Sequence, residues 1–126
     1  MLIWIFAGLA VYLANVYLPS MLYLPTEGMA KHMGSRDDQP EAGVNVGRAR
    51  RALANMQENM PIFLTLAVLA LVIEGTDMAQ AILGAQLFVF GRIAYTLLYL
   101  ISIPWTRSAA YMVGLVGCFM MALALV

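Results

Sequence analysis

The residues able to do chemistry gather in one short stretch, R-A-R-R-A-L-A-N-M-Q-E-N-M-P over residues 48–61. A helix turns by about 100° per residue, so Arg48, Arg51, Asn55 and Glu58 share an arc of about 80°, with Asn59 on its border. Arg50 and Gln57 point elsewhere. Two guanidiniums, a carboxamide and a carboxylate in one register form a candidate binding stripe. A second stripe follows the same arithmetic: Arg92, Tyr95, Tyr99 and Ser102 also fall within about 80°. Arg107 comes after Pro104–Trp105. Arg92 needs a partner wherever it is buried, and Glu58 is the carboxylate expected nearest to it in depth. The sequence therefore predicts that Arg92 and Glu58 compensate each other, with Arg48 and Arg92 as structural charges.

The elements that must position these groups are apolar. Of 126 residues, 63% are hydrophobic and 11% charged, against about 25% charged in soluble domains. So few charges cannot cover a soluble surface of this size, which excludes an ordinary globular enzyme and a disordered chain. Seven basic and seven acidic residues cancel, so no nucleic-acid partner is implied. Charge-free or nearly charge-free runs predict an all-α, single-domain membrane bundle. Its helices cover about 2–24, 46–74, 79–103 and 109–126, with a loop over 25–45. A span of about 20 residues crosses a hydrocarbon core of about 30 Å. The runs lack the polar–apolar alternation of barrel strands. The first has no basic leader or small-residue cleavage pattern, so it reads as a transmembrane helix rather than a signal peptide.

Every basic residue except Arg92 falls in the first loop, at the start of helix two, or before helix four: Lys31, Arg36, Arg48, Arg50, Arg51 and Arg107. Basic residues mark the cytoplasmic side. Both termini are therefore expected outside, with the loop 25–45 and the connection 104–108 in the cytoplasm. The loop carries Pro25, Gly28, Gly34, Pro40, Gly43 and the acidic pair Asp37–Asp38, with Asn45 as the expected helix cap. Cys118, the sole cysteine, lies on the spacing Ala110, Gly114, Cys118, Ala122. It reads as a small packing residue, since small residues let membrane helices approach closely. Asn15 and Pro19 read as an interhelical hydrogen bond and a kink.

The stretch from Arg48 to Pro61 resembles the second-helix signature of the MAPEG family, membrane-associated proteins of eicosanoid and glutathione metabolism. A second match, G-R-I-A-Y-T-L-L-Y-L followed by P-W-T-R-S over residues 91–108, is similar to the family's third helix and the turn into its fourth. The resemblance is closest to the microsomal glutathione transferase type. It implies a homotrimer of four-helix subunits, with glutathione held between neighbours near the cytoplasmic face. By motif position it assigns glutathione contacts to Arg50, Arg51, Asn55, Glu58, Tyr95 and Tyr99. Arg107 matches the catalytic arginine that holds the glutathione thiolate. The implied activity is a transferase or peroxidase acting on lipophilic electrophiles that arrive from the membrane lipids; no metal is implied. The chemistry is consistent. Guanidiniums pair with the tripeptide's carboxylates, Glu58 can take its amine, and a thiol with a reference pKa near 8.5 ionises more readily beside a guanidinium.

Asn59 stands where leukotriene-forming members have Tyr, and Leu53 where His or Gln is frequent, so eicosanoid synthesis is not expected. A non-catalytic lipid-binding protein of the same fold is the alternative. A small four-span exporter ranks last, because helix one lacks the acidic residue such exporters use. Short connections favour a bacterial inner membrane.

Overall fold

The computed structural model describes residues 1–33 and 43–126. They form four helices: α1 (Leu2–Met33), α2 (Val44–Val72), α3 (Met78–Leu100) and α4 (Pro104–Leu123). Each is long and apolar enough to cross a membrane. At about 1.5 Å per residue, even the shortest spans a hydrocarbon core of about 30 Å. The all-helical expectation holds, and the helix ends differ from it in instructive ways.

The first helix does not stop at Leu24. It continues through Pro25 to Met33, broken at Gly28 where φ is 80° and ψ 161°. Glycine tolerates that left-handed backbone, so a bend replaces a stop, and residues 29–33 resume the helix. The expected loop thus shrinks from its N-terminal side, and Lys31 falls within α1. Arg36, Asp37, Asp38 and Pro40 lie outside the described residues. At the next start Gly43, not Asn45, is the cap; Asn45 Oδ1 accepts instead from Arg48 Nη1 at 3.4 Å.

The α3–α4 connection is tighter than expected. The Ser102 amide donates to the Tyr99 carbonyl at 3.3 Å and the Ile103 amide to the Leu98 carbonyl at 3.2 Å. That pair of bonds is a Schellman closure, whose turning residue is left-handed; here it is Ser102, with φ 65°. Pro104 then opens α4, where its missing N–H costs nothing. Arg107 consequently sits in the first turns of α4, not in a connection before it. Hydropathy alone had placed the start near residue 109 because Thr106, Arg107 and Ser108 are polar. At the opposite end, Asp77 caps α3 by accepting from the Gln80 amide at 3.1 Å. The Asp77 amide donates to the Ala124 carbonyl at 2.9 Å, tying the chain's end to the α2–α3 turn.

The core is built around a stacked pair, Phe63 and Phe88, with ring centroids 4.3 Å apart and planes 3° from parallel. Gly8 of α1 admits Phe63: a Cβ there would lie 2.7 Å from the ring. The α3–α4 seam is closer still. A Cβ on Gly84 would meet the Gly117 carbonyl at 2.5 Å, and one on Gly91 would meet the Gly114 nitrogen at 2.9 Å. Cys118 and Ala110 are buried on this seam, as the small-residue spacing predicts. Asn15, 2% exposed, makes the expected interhelical contact: Thr96 Oγ1 lies 3.0 Å from Asn15 Oδ1. The Asn15 amide donates to the Val11 carbonyl at 2.9 Å.

Candidate functional site

The polar residues converge where α2 begins, α3 ends and α4 begins. Arg48 and Arg51 share one face of α2 because they are three residues apart. Tyr99 lies in the last turn of α3, and Arg107 in the first turns of α4. Together with Val44 and Ser102 they line a cavity of about 350 Å³, within the range of about 300–1,000 Å³ usual for ligand clefts.

Tyr99 is its hub. Arg51 Nε donates to the Tyr99 hydroxyl oxygen at 3.0 Å. The Arg107 guanidinium lies 4.5 Å from the Tyr99 ring centroid, within cation–π range. The hydroxyl oxygen is thus occupied by Arg51, while the hydroxyl proton remains available to an acceptor. Arg107 has no carboxylate partner among the described residues. Arg48 is committed differently: its Nη1 donates to the Leu100 carbonyl at 3.1 Å. That carbonyl is one of the acceptors left open by the end of α3, where a cation also meets the negative end of the helix dipole. Three guanidiniums around one cavity favour an anionic ligand.

A second polar layer lies deeper. Arg92, 1% exposed, donates through Nη1 to Asn55 Oδ1 at 2.6 Å. Its guanidinium is 5.0 Å from the Phe88 ring centroid and 5.1 Å from that of Tyr111. Nε and Nη2 have no partner. The expected compensation between Glu58 and Arg92 is not made. Glu58 is on an exposed face of α2, and Arg92 meets Asn55, one turn nearer the polar end. The depth match was off by three residues, about 4.5 Å along a helix. Asn59 turns inward too, and its amide donates to the Asn55 carbonyl at 2.7 Å.

The residues assigned by motif are therefore divided. Arg51, Tyr99 and Arg107 line the cavity together. Tyr95 packs behind it, edge-on to Tyr99 at 5.5 Å and tilted against Tyr111 at 6.3 Å. Asn55 belongs to the deeper layer. Arg50 and Glu58 are exposed and do not line the cavity. Arg48, read from sequence as a structural charge, is both a lining residue and the cap of α3. Tyr111 was missed; the available signal was its place four residues after Arg107, on the same face of α4.

A search of curated proteins gave no match. The profile of the MAPEG family matches residues 1–126. That family contains glutathione transferases and peroxidases along with non-catalytic members. With four apolar helices and both sequence stretches brought to one end of the bundle, the chain belongs to the MAPEG family of membrane proteins.

Proposed function

We propose that this protein is a glutathione-dependent transferase or peroxidase acting on lipophilic electrophiles, of the microsomal glutathione transferase type. The observation that carries the reading is the convergence of Arg48, Arg51, Tyr99 and Arg107 on one cavity. Glutathione brings two carboxylates for the guanidiniums. Arg107, which has no carboxylate partner among the described residues, is the catalytic group: it holds the thiolate, and the thiol proton passes to water. The thiolate sulfur then attacks the electrophilic carbon, and the leaving group departs with the bond pair. With a hydroperoxide the sulfur attacks the terminal oxygen, the O–O bond breaks, and the alkoxide leaves and takes a proton from water. A second glutathione then reduces the resulting sulfenic acid to the disulfide with release of water. Glutathione is a co-substrate, and no metal enters the scheme.

A homotrimer supports the outer half of the site. Glu58 is exposed midway along a membrane-spanning helix, and a charge facing lipid at mid-span costs roughly 2.5–3.5 kcal/mol. Covering that face with a second copy takes Glu58 out of lipid and brings it towards a ligand held between subunits. The basic end faces the cytoplasm of a bacterial inner membrane, with both termini outside. In a Cys118→Ala background, impermeant thiol reagent added to intact cells should label Thr76→Cys and spare Gly43→Cys. The reverse pattern would put the site on the wrong side for cytoplasmic glutathione.

The deciding experiment is glutathione-dependent conjugation of an aryl halide by purified protein. No turnover above the solution rate, with glutathione bound, would leave the non-catalytic lipid-binding reading. A fully apolar groove of about 580 Å³ along α2 and α4, lined by Leu66, Val116 and Phe119 among others, favours that second reading. Membership of the family leaves the exporter reading without support.

A further inference from the structure

Helices α1 and α3 leave a groove between them that shares no lining residue with the anion cavity. It is open, has a volume of about 240 Å³, and runs from Val11 to Leu18 on one wall and from Ile93 to Leu100 on the other. Separated by the single crossing of α2, the two helices point the same way. Each wall therefore covers the same depth, about 10 Å at 1.5 Å per residue, and the groove lies along the membrane normal, as an acyl chain does. Two polar side chains stand in the walls, Asn15 and Thr96, and both are satisfied by the protein. Asn15 Nδ2 donates to the Val11 carbonyl at 2.9 Å. Thr96 Oγ1 lies 3.0 Å from Asn15 Oδ1 and 3.0 Å from the Arg92 carbonyl. A held water needs about two to four polar partners, and the remaining walls are Val, Ala, Leu and Ile. The groove suits hydrocarbon.

Its polar end carries charge. Leu100 lines the groove, and its carbonyl accepts from Arg48 Nη1 at 3.1 Å. The same nitrogen reaches Asn45 Oδ1 at 3.4 Å. Arg48 Nε and Nη2 have no partner among the described residues, so one edge of the fork remains for a bidentate oxyanion such as a phosphate. Basic groups between membrane helices at this level attract anionic lipid heads. Arg51 and Arg107 stand beside Arg48 around the cavity, and their charge repels the ammonium of a zwitterionic head. We propose that the α1–α3 groove holds one acyl chain of an anionic phospholipid, from the leaflet at the basic end of the bundle, with its phosphate on the free edge of Arg48. The second chain stays in the bilayer, to which the groove is open. The proposal does not rest on the glutathione reading.

The test is native mass spectrometry of the full chain, delipidated in detergent and titrated with dioleoylphosphatidylglycerol, dioleoylphosphatidylcholine or oleate. One phosphatidylglycerol per chain should bind, about fivefold more tightly than phosphatidylcholine for a single arginine contact, and more tightly than oleate. Ala14 on one wall and Leu97 on the other are exposed, so larger side chains there fill the groove without entering the core. Ala14→Phe and Leu97→Trp should each weaken phosphatidylglycerol binding about tenfold or more, which displacing two methylenes already amounts to. If one of them fails to fold, the other decides. Arg48→Gln should keep the chain site and bring the two phospholipids within about twofold of each other. Unchanged phosphatidylglycerol binding in the filled variants would place the lipid elsewhere and overturn the proposal. A preference that survives Arg48→Gln would overturn it too. Oleate binding as tightly as phosphatidylglycerol would make the ligand a free fatty acid instead. A changed subunit number in the filled variants would mean that a second copy, not lipid, covers the groove.

Discussion

Helices α3 and α4 meet in two different ways along their length. In the middle their backbones nearly touch, with Gly84 against Gly117 and Gly91 against Gly114. Towards the polar end the glycines give way to Tyr95, Tyr99, Arg107 and Tyr111, and the space between elements becomes a cavity. Lipid is as apolar as any side chain, so burial alone does not hold membrane helices together, and close packing must. The seam supplies that packing. The site occupies the adjacent turns, where large polar side chains hold the helices apart but the seam fixes their relative placement. Rigidity and chemistry are therefore separated by only a few turns of the same pair of helices.

That separation can be broken most severely at the seam. Gly84→Leu would drive a side chain into the Gly117 carbonyl and the Met121 amide, both backbone groups with nowhere to move. Overpacking in cores usually costs about 1–3 kcal/mol; with backbone on the receiving side we expect more than about 3 kcal/mol. The variant should lose its monodisperse peak and its cooperative thermal transition in detergent. A well-behaved Gly84→Leu protein would mean the seam does not set the geometry. Gly43→Leu, with open space around it, should be indifferent by the same measurement.

Arg107→Ala attacks the other region and should leave the melting temperature nearly unchanged. Loss of a charge-assisted contact to an anion is worth roughly 1.5–3 kcal/mol, and about 1.4 kcal/mol is tenfold in rate. Turnover at neutral pH should therefore fall about ten- to a hundredfold. The sign of the pH effect is fixed: raising pH ionises free thiols with pKa near 8.5 without help, so the deficit should narrow towards about pH 9. An unchanged rate and pH profile would reduce Arg107 to a topology anchor.

Arg48→Ala sharpens the comparison within the cavity itself. Because Arg48 already serves the Leu100 carbonyl, it should cost stability, by about 1 kcal/mol, and affect turnover less than Arg107→Ala does. If the order of the two turnover effects is reversed, Arg48 is the thiolate ligand. The smallest effect is expected at Ser102. A non-glycine residue at φ 65° is strained by about 1–3 kcal/mol, while glycine loses more chain entropy on folding. Ser102→Gly should accordingly be neutral or more stable by up to about 1 kcal/mol in a thermal melt.

Much of this was legible in the sequence, for identifiable reasons. Apolar runs fix the number of helices because backbone groups in lipid must be satisfied within the segment. Helical spacing placed Arg51 and Tyr99 in stripes, the family motif added Arg107, and the structure brings all three to one cavity. Glu58 and Arg92 do not pair because depth alone does not fix the rotation of α2, which turns Asn55 to Arg92 and leaves Glu58 exposed. The stripe is wide enough for Asn55 to face α3 while Glu58 faces outward. The end of α1 was misread because Pro25 and Gly28 look like a stop, whereas a single left-handed glycine can bend a helix that then resumes. The capping role of Arg48 was invisible, since it depends on which carbonyl of another helix is left open.

Trp105 is 87% exposed and only two residues from Arg107. Tryptophan prefers the headgroup zone, with its ring in the apolar fringe and its N–H near water. It therefore acts as a depth gauge, setting the mouth of the cavity at the seam between water and oil. A dissolved anion cannot sink below that level, and a greasy molecule dissolved in acyl chains does not rise above it. On the proposed function, chemistry placed there would be phase-transfer chemistry: two reactants that share no common solvent would meet at a fixed charge on the boundary, and neither would have to cross it.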